Sequence, residues 1–416
     1  MALGGVAGCA ATGRGAARTL DFWHLLSGSD GERMMELVQG YNAKSDGATF
    51  RQTVLAWGEP YYTKLAMASA GGRAPALAVM HATRVAGYSE GSLLDAWDPE
   101  LFAEFGVTES DFPERIWRKG VIDGELRSIA LDTHPFVLHY NREVAEAADV
   151  LDSDGLLIEA RNPEEFREIA ERMRKVTGQR GLSYGYLGDF AQMWRMFFTF
   201  YSQLGGTIEL PLGKRMKYDE EAAVHALEWI RSLLDGKLAS NSHDGGTALS
   251  EFVSGESGML FGGVWETVAL QAEGVPFDTA IIPGVFGRTV AYGDSHTFVL
   301  PHQDDPDPQE RRAAHEFAAS ILKGSLEWAK AGHIPAYNPV TESPEYGKLV
   351  PQSHYADAVD YLVYDPEAWF SGTATDFQSY FGDTIQPVLS GRVDPVRGIR
   401  GFADRIDKLL SRPSPV

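Results

Sequence analysis

The sequence predicts an α/β protein of two domains. Segments with strand character alternate with amphipathic helices along the chain, the pattern of layered α/β architecture with mostly parallel sheets. The chain has 416 residues, whereas single hydrophobic cores stop growing at about 250–300 residues. Its 44% hydrophobic and 23% charged residues are those of an ordinary globular protein, and no apolar run is long enough to cross a bilayer.

Short apolar runs mark strands at Leu77–Met80, Ile129–Leu131, Phe136–Tyr140, Met259–Phe261, Ala280–Ile282 and Thr297–Leu300. Several are apolar at successive positions, as strands buried on both faces are. Three helices are equally legible. The first is capped by Asn162, has Pro163 in its first turn and Glu165 at the capping-box position, and carries Phe166, Ile169, Met173 and Val176 on a face expected to be core. The second starts near Asp219, spaces Ala223, Leu227, Ile230 and Leu234 helically, and stops at Gly236, which accepts a left-handed C-cap. Trp229 on that helix is expected to be structural. The third runs through Ala314, Phe317, Ala318 and Ile321 to Gly324.

Net charge is -21, so the general field repels phosphate-rich partners; nucleic acid and anionic membrane surfaces are not expected. Neutral or cationic small ligands are favoured, neutral sugars among them. The single cysteine, Cys9, forms no intramolecular disulfide. Val6-Ala7-Gly8-Cys9 places small residues before it and resembles the lipobox at which bacterial lipoproteins are cleaved and acylated. The basic n-region and most of the h-region are absent, which fits a start inside a signal peptide. Residues 10–17 then form a Gly/Ala-rich tether. The alternative is a stray cysteine in a Gly/Ala-rich terminus.

Three stretches carry a family resemblance, in the order in which sugar-binding lipoproteins of ABC importers carry them. Leu20-Asp21-Phe22-Trp23-His24, followed by a Ser/Gly loop and Val38-Gln39-Gly40-Tyr41-Asn42, resembles the opening strand and first helix of that family. Further on, Ala70-Gly71-Gly72-Arg73-Ala74-Pro75 leads into Ala76-Leu77-Ala78-Val79-Met80-His81, with Ala76 where Asp is usual. Val121-Ile122-Asp123-Gly124-Glu125-Leu126 and the segment from Ala130 to Asn141 resemble the first crossing between lobes. Phe252-Val253-Ser254-Gly255-Glu256-Ser257-Gly258-Met259-Leu260-Phe261-Gly262-Gly263-Val264-Trp265 resembles an F-x-x-G-x-x-A-M-x-x-x-G-x-W pattern, with Gly258 where Ala is usual. Gly332-His333-Ile334-Pro335-Ala336 resembles a G-x-x-P element. The resemblance covers nearly all of residues 19–412.

It implies a two-lobed type II periplasmic-binding-protein fold with the ligand cleft between the lobes. The expected division is a tether over residues 1–18, lobe 1 over 19–133 plus 294–338, and lobe 2 over 134–293 plus 339–416. The implied protein is a monomer that binds a carbohydrate, expected to be an oligosaccharide, and delivers it by cleft closure to the membrane permease subunits of an ABC importer. It is expected to stand outside the cytoplasm, lipid-anchored through Cys9 to the outer face of the cytoplasmic membrane. No cofactor or metal is expected.

A pyranose offers apolar C–H faces for aromatic rings and a rim of hydroxyls that need donors and acceptors. The candidate ligand-binding residues supply both. Trp265 and Glu266 follow Gly262-Gly263, which permit close approach. Asp132 and His134 follow a strand at the presumed first crossing; Asp294 and His296 sit at the presumed second. His81 and Arg84 follow the Leu77–Met80 strand. Asp189 and Trp194 lie in an aromatic-rich run, Trp194 being the member expected at the cleft. Ser27 and Glu59 lie in loops that an ordinary solvated reading explains equally well. Trp369-Phe370 line the cleft or cover the second lobe.

Two alternatives stay open. A protein of the same fold can bind a glycerol phosphate, which would ask for cationic groups at strand ends, a polyamine, which would ask for several carboxylates with aromatic walls, or a metal chelate. A glycoside hydrolase would need a carboxylate pair such as Asp132 and Glu266 at a suitable separation. Gly87-Tyr88-Ser89-Glu90-Gly91 matches G-x-S-x-G, yet residues 82–86 part it from the strand that a nucleophile elbow requires. No H-E-x-x-H, cysteine cluster or EF-hand loop is present in the sequence.

Overall fold

The computed structural model describes residues 18–413, so the Cys9 lipobox lies outside the described residues. Two large sheets, each with its own apolar core, organise the described residues, and Val121–Ile122 with Glu125–Leu126 forms a small antiparallel ribbon. In the first, Thr49–Val54, Thr19–His24 and Leu77–His81 run parallel, and His296–Pro301 continues the sheet antiparallel to Leu77–His81. Leu94–Asp95 and Ser128–Ala130 pair with His296–Pro301. Leu77–His81 is buried at every position, which is why it reads as an unbroken apolar run. Phe22, Phe50, Phe298 and Phe317 centre the core on this sheet.

The second sheet is organised by one ten-residue strand, Asp132–Asn141, buried throughout. Ser257–Gly263, Phe277–Ile281, Ala291–Asp294 and Ile334–Pro335 all pair with it antiparallel. Arg180–Ser183 and Leu362–Val363 extend the two sides by parallel pairing. The expectation of mostly parallel sheets is therefore corrected: both are mixed. Chains that enter a sheet from the other lobe run against the strands that helices connect within it, and these entering strands hold the central positions.

The helices follow their local chemistry. Asn162 accepts from the Glu165 amide at 2.8 Å and caps Pro163–Thr177, which ends at Gly178 with φ 74°. Phe166, Ile169 and Met173 are buried, but Val176, in the last turn, is 41% exposed. Asp219 caps Glu220–Leu233, and that helix ends before Gly236 rather than at it. Pro308–Lys323 ends at Gly324 as expected. The G-x-S-x-G segment lies in the helix Ala82–Glu90, with Ser89 in its last turn, so there is no strand-to-helix elbow.

The chain leaves the first sheet at Ala130 and enters the second at Asp132, with Leu131 alone between them; it returns through Ser295, between Asp294 and His296. The two crossings lie side by side, since His134 pairs with Asp294 and the Leu131 amide donates to the His296 carbonyl at 2.8 Å. Ile334–Pro335 adds a third passage beside Asp132 and Thr133. The result is the two-lobed type II architecture, and the crossings form the floor between the lobes.

Candidate functional site: a cleft over a histidine-lined floor

Over that floor opens a cavity of about 1320 Å³. From the first lobe, Ser27 before helix Gly28–Asn42, Trp57 before and Glu59 at the start of helix Glu59–Ala70, His81 at the end of strand Leu77–His81 and Arg84 in the helix Ala82–Glu90 all line it. From the second lobe come Asp189 and Arg195 of helix Phe190–Gln203 with its cap, Trp265 after strand Ser257–Gly263, and Trp369. His134, His296 and His333 line the floor.

Trp265 is aimed by a local device. A Cβ on Gly263 would stand within 2.2 Å of three atoms of the indole, so only glycine lets the ring fold back over the strand end. The Arg195 guanidinium lies 4.7 Å from the ring centre and closes one face of it. Trp57 is half exposed, and its ring meets His81 edge-on at 6.5 Å. Arg84 stacks over Tyr62 at 4.3 Å and donates to the carbonyls of Thr373 and Ala374 at 3.3 and 3.2 Å. It thus ties the helix Ala82–Glu90 to the Thr373–Ala374 segment while lining the cavity.

Asp132 lies under the floor, wholly buried. Its Oδ1 accepts from the His296 amide at 2.9 Å and from His134 Nδ1 at 3.1 Å; its Oδ2 accepts from His296 Nδ1 at 2.8 Å and from the Trp328 indole at 2.6 Å. Burial by itself raises a carboxyl pKa, but the imidazoles of His296 and His333, with hydrogen bonds from His134 and His296, outweigh it and hold Asp132 well below the usual range. Burial drives His81 well below the ordinary imidazole value and lowers His134, with His296 adding to both shifts. His333 is raised: burial opposes this, and Asp30 and Asp132 overcome it.

The structure brings together Ser27, Glu59, His81, Arg84, His134, Asp189, Trp265 and His296 at one cavity. Four expected residues do not line it. Asp132 serves the histidines from below, as described. Asp294 is buried at the second crossing, where Thr83 and Thr373 hydroxyls donate to its Oδ2 at 2.6 and 2.8 Å. Glu266 is absent from the cavity lining, and burial raises its carboxyl pKa. Trp194 is corrected outright: it is fully buried, stacked on Phe198 at 4.7 Å and donating to Asp365. Its helix turns the Ala191 and Arg195 side to the cavity instead. Arg195 is the only charged residue in Phe190–Gln203, the signal that marked that side. His333 also went unnominated, although it stands in the G-x-x-P element.

Residues 36–349 match the family model of the bacterial extracellular solute-binding proteins. The chain belongs to that family, a class of extracytoplasmic binding proteins and not of enzymes. Solved structures share the fold along nearly the whole chain. The GacH receptor of Streptomyces glaucescens, solved unliganded and with acarbose, is 19% identical with a TM-score of 0.76, over 95% of this chain and 98% of that one. The cyclic alpha-maltosyl-1,6-maltose binding protein of Arthrobacter globiformis is 17% identical with a TM-score of 0.71, over 95% and 100%. The MalE domain of Bdellovibrio bacteriovorus, bound to maltotriose, is 18% identical with a TM-score of 0.71, again over 95% and 100%. No curated protein matches the sequence.

Proposed function

We propose that this protein captures a carbohydrate of more than one sugar unit in the cleft and delivers it, by closure of the lobes, to the permease subunits of an ABC importer. The observation that carries this reading is the cavity's combination of three tryptophans from both lobes with a polar floor. Indole faces suit pyranose C–H faces, and imidazoles and guanidinia suit hydroxyls. At about 1320 Å³ the cavity exceeds the roughly 300–1,000 Å³ of ordinary small-ligand sites, which favours an oligosaccharide. The sugar ligands of the structural relatives agree with it. A polyamine fits less well, since the cavity's carboxylates Glu59 and Asp376 are exposed at its rim, Asp189 is engaged in capping helix Phe190–Gln203 and Asp30 is engaged with His333. A glycosidase pair is disfavoured, because Asp132 is already saturated by donors and Glu266 does not line the cavity.

Calorimetric titration with neutral oligosaccharides tests the reading. One sugar per chain should bind, and Trp265→Ala should weaken it about tenfold to a hundredfold, since a desolvated aromatic contact contributes ~1–3 kcal/mol. Trp229→Ala, in the second core, should lower the melting temperature yet keep the affinity of the folded fraction. Unchanged affinity in Trp265→Ala, with a large loss of stability, would place that ring in the core and overturn the assignment.

The same reading makes Cys9 the lipid attachment point, supported by its small-residue prefix and the Gly/Ala-rich stretch after it. In a bacterial host fed labelled fatty acid, the precursor should take up label and Cys9→Ser should not. Equal labelling of both would rule the anchor out.

A further inference from the structure

We propose that the cleft floor is a binding site for a divalent transition-metal cation of the zinc class, with Asp132, His134, His296 and His333 as its ligands. One donor atom from each of the four lies within 4.8 Å of the others, and all four residues are buried. A four-coordinate cation with bonds of about 2.0–2.1 Å holds its donors ~3.3 Å apart. Here Asp132 oxygens stand 3.1 Å from His134 Nδ1, 2.8 Å from His296 Nδ1 and 3.5 Å from His333 Nδ1. Small shifts of the rings suffice to admit the ion.

His333 supplies a second, independent sign. Its Nε2 faces Asp30 Oδ1 at 3.1 Å, while its Nδ1 is buried, has no hydrogen-bond partner among the described residues and points at Asp132. An imidazole that donates from one nitrogen to a carboxylate presents the lone pair of the other to a metal, the usual arrangement behind metal-bound histidines. At 3.5 Å the contact with Asp132 is too long for a hydrogen bond. On cation binding, the Nδ1 protons that His134 and His296 now direct at Asp132 pass to the far ring nitrogens or to solvent. Asp132 keeps two outer donors, the Trp328 indole and the His296 amide, which fix its carboxylate. One dipositive ion then balances Asp132 and Asp30, and the histidines at the floor give it a path from the cleft.

The ligands come from three chain passages: Asp132 and His134 from the first crossing, His296 from the second, and His333 from the segment that enters the Ile334–Pro335 strand. Linear spacing conceals such a site, which motif searching cannot find. A bound ion would tie the three passages together where the lobes meet.

The experiment uses the full chain with Cys9→Ser, to remove a competing thiolate, stripped with chelator and titrated with Co²⁺ alone and then Zn²⁺. Expected are one Co²⁺ per chain with the visible absorption of a four-coordinate nitrogen–oxygen site, displacement by Zn²⁺, and a raised melting temperature with either ion. His333→Ala and His134→Gln should each weaken binding by about a hundredfold or more, and Asp30→Asn by roughly 10–100-fold. His243→Ala, remote from the floor, should change nothing. Absence of the cobalt spectrum in the unsubstituted floor overturns the proposal, as does binding that survives either ligand substitution in a protein shown by melting to be folded. Sugar affinity measured in chelator is read separately, so failure of the metal site and failure of the sugar site are distinguishable.

Discussion

At the scale of single residues, the cleft shows side chains whose roles are set by what stands behind them. Trp265 can fold over the floor because Gly263 has no side chain, and Asp132 orients the imidazoles above it. Asp365 gives a test of such buried polar work. It lies under Trp194, accepting from that indole and from the Tyr292 hydroxyl at 3.2 Å. Burial, reinforced by Asp294, lifts its carboxyl from 3.8 to about 7. The folded chain therefore holds a proton that the unfolded chain gives up above pH 3.8. Its contribution to stability is full below that value, falls by at most ~1.4 kcal/mol per pH unit as pH rises towards 7, and then levels off. Urea melts of the wild type and Asp365→Asn between pH 4 and pH 8 should differ by that slope. Parallel pH profiles would show that the group does not titrate as described.

The residue scale is also where sequence reading was least secure. Asp132 was expected to meet hydroxyls directly, and nothing local could reveal that Trp328, 196 positions away, occupies it. His333 was passed over because its partner Asp30 is 303 positions distant. Trp194 was misplaced because aromatic residues surround its helix on most sides, so apolarity alone does not tell core from cleft.

Among elements, the strands and helices with clean local chemistry were legible, and the direction of pairing was not. Asn162, Asp219 and Gly324 mark helix ends through interactions within a few residues. Antiparallel pairing along Asp132–Asn141 depends on crossings far apart in sequence. One departure from the family pattern has a packing reason. A Cβ on Gly258 would stand 2.6 Å from Met173 Cβ and 2.8 Å from its sulfur. Gly258→Ala should thus cost roughly 1–3 kcal/mol by overpacking. Met173→Gly in the same chain, which removes both that Cβ and the sulfur, should recover part of that loss, although alone it also destabilises. Thermal or chemical melts of the two single variants and the double variant decide it. Additive losses would mean that the two residues do not compete for space.

For the whole molecule, the two cores were predictable from length and alternation, and the family from ordered motifs spread over the chain. The proposed placement of the ligand between the lobes rests on topology, because the three passages bring both sheets to one floor and the tryptophans of both lobes to one cavity. A ligand shifts the balance between open and closed forms only by the difference in its affinity for them. Contacts made from both sides at once supply such a difference. Small-angle scattering of the chain with and without the oligosaccharide found by titration measures this directly. The account predicts a smaller radius of gyration at saturating sugar, and no such compaction in Trp265→Ala at the same sugar concentration. An unchanged radius in the wild type, with the sugar demonstrably bound, would contradict capture by closure of the two lobes.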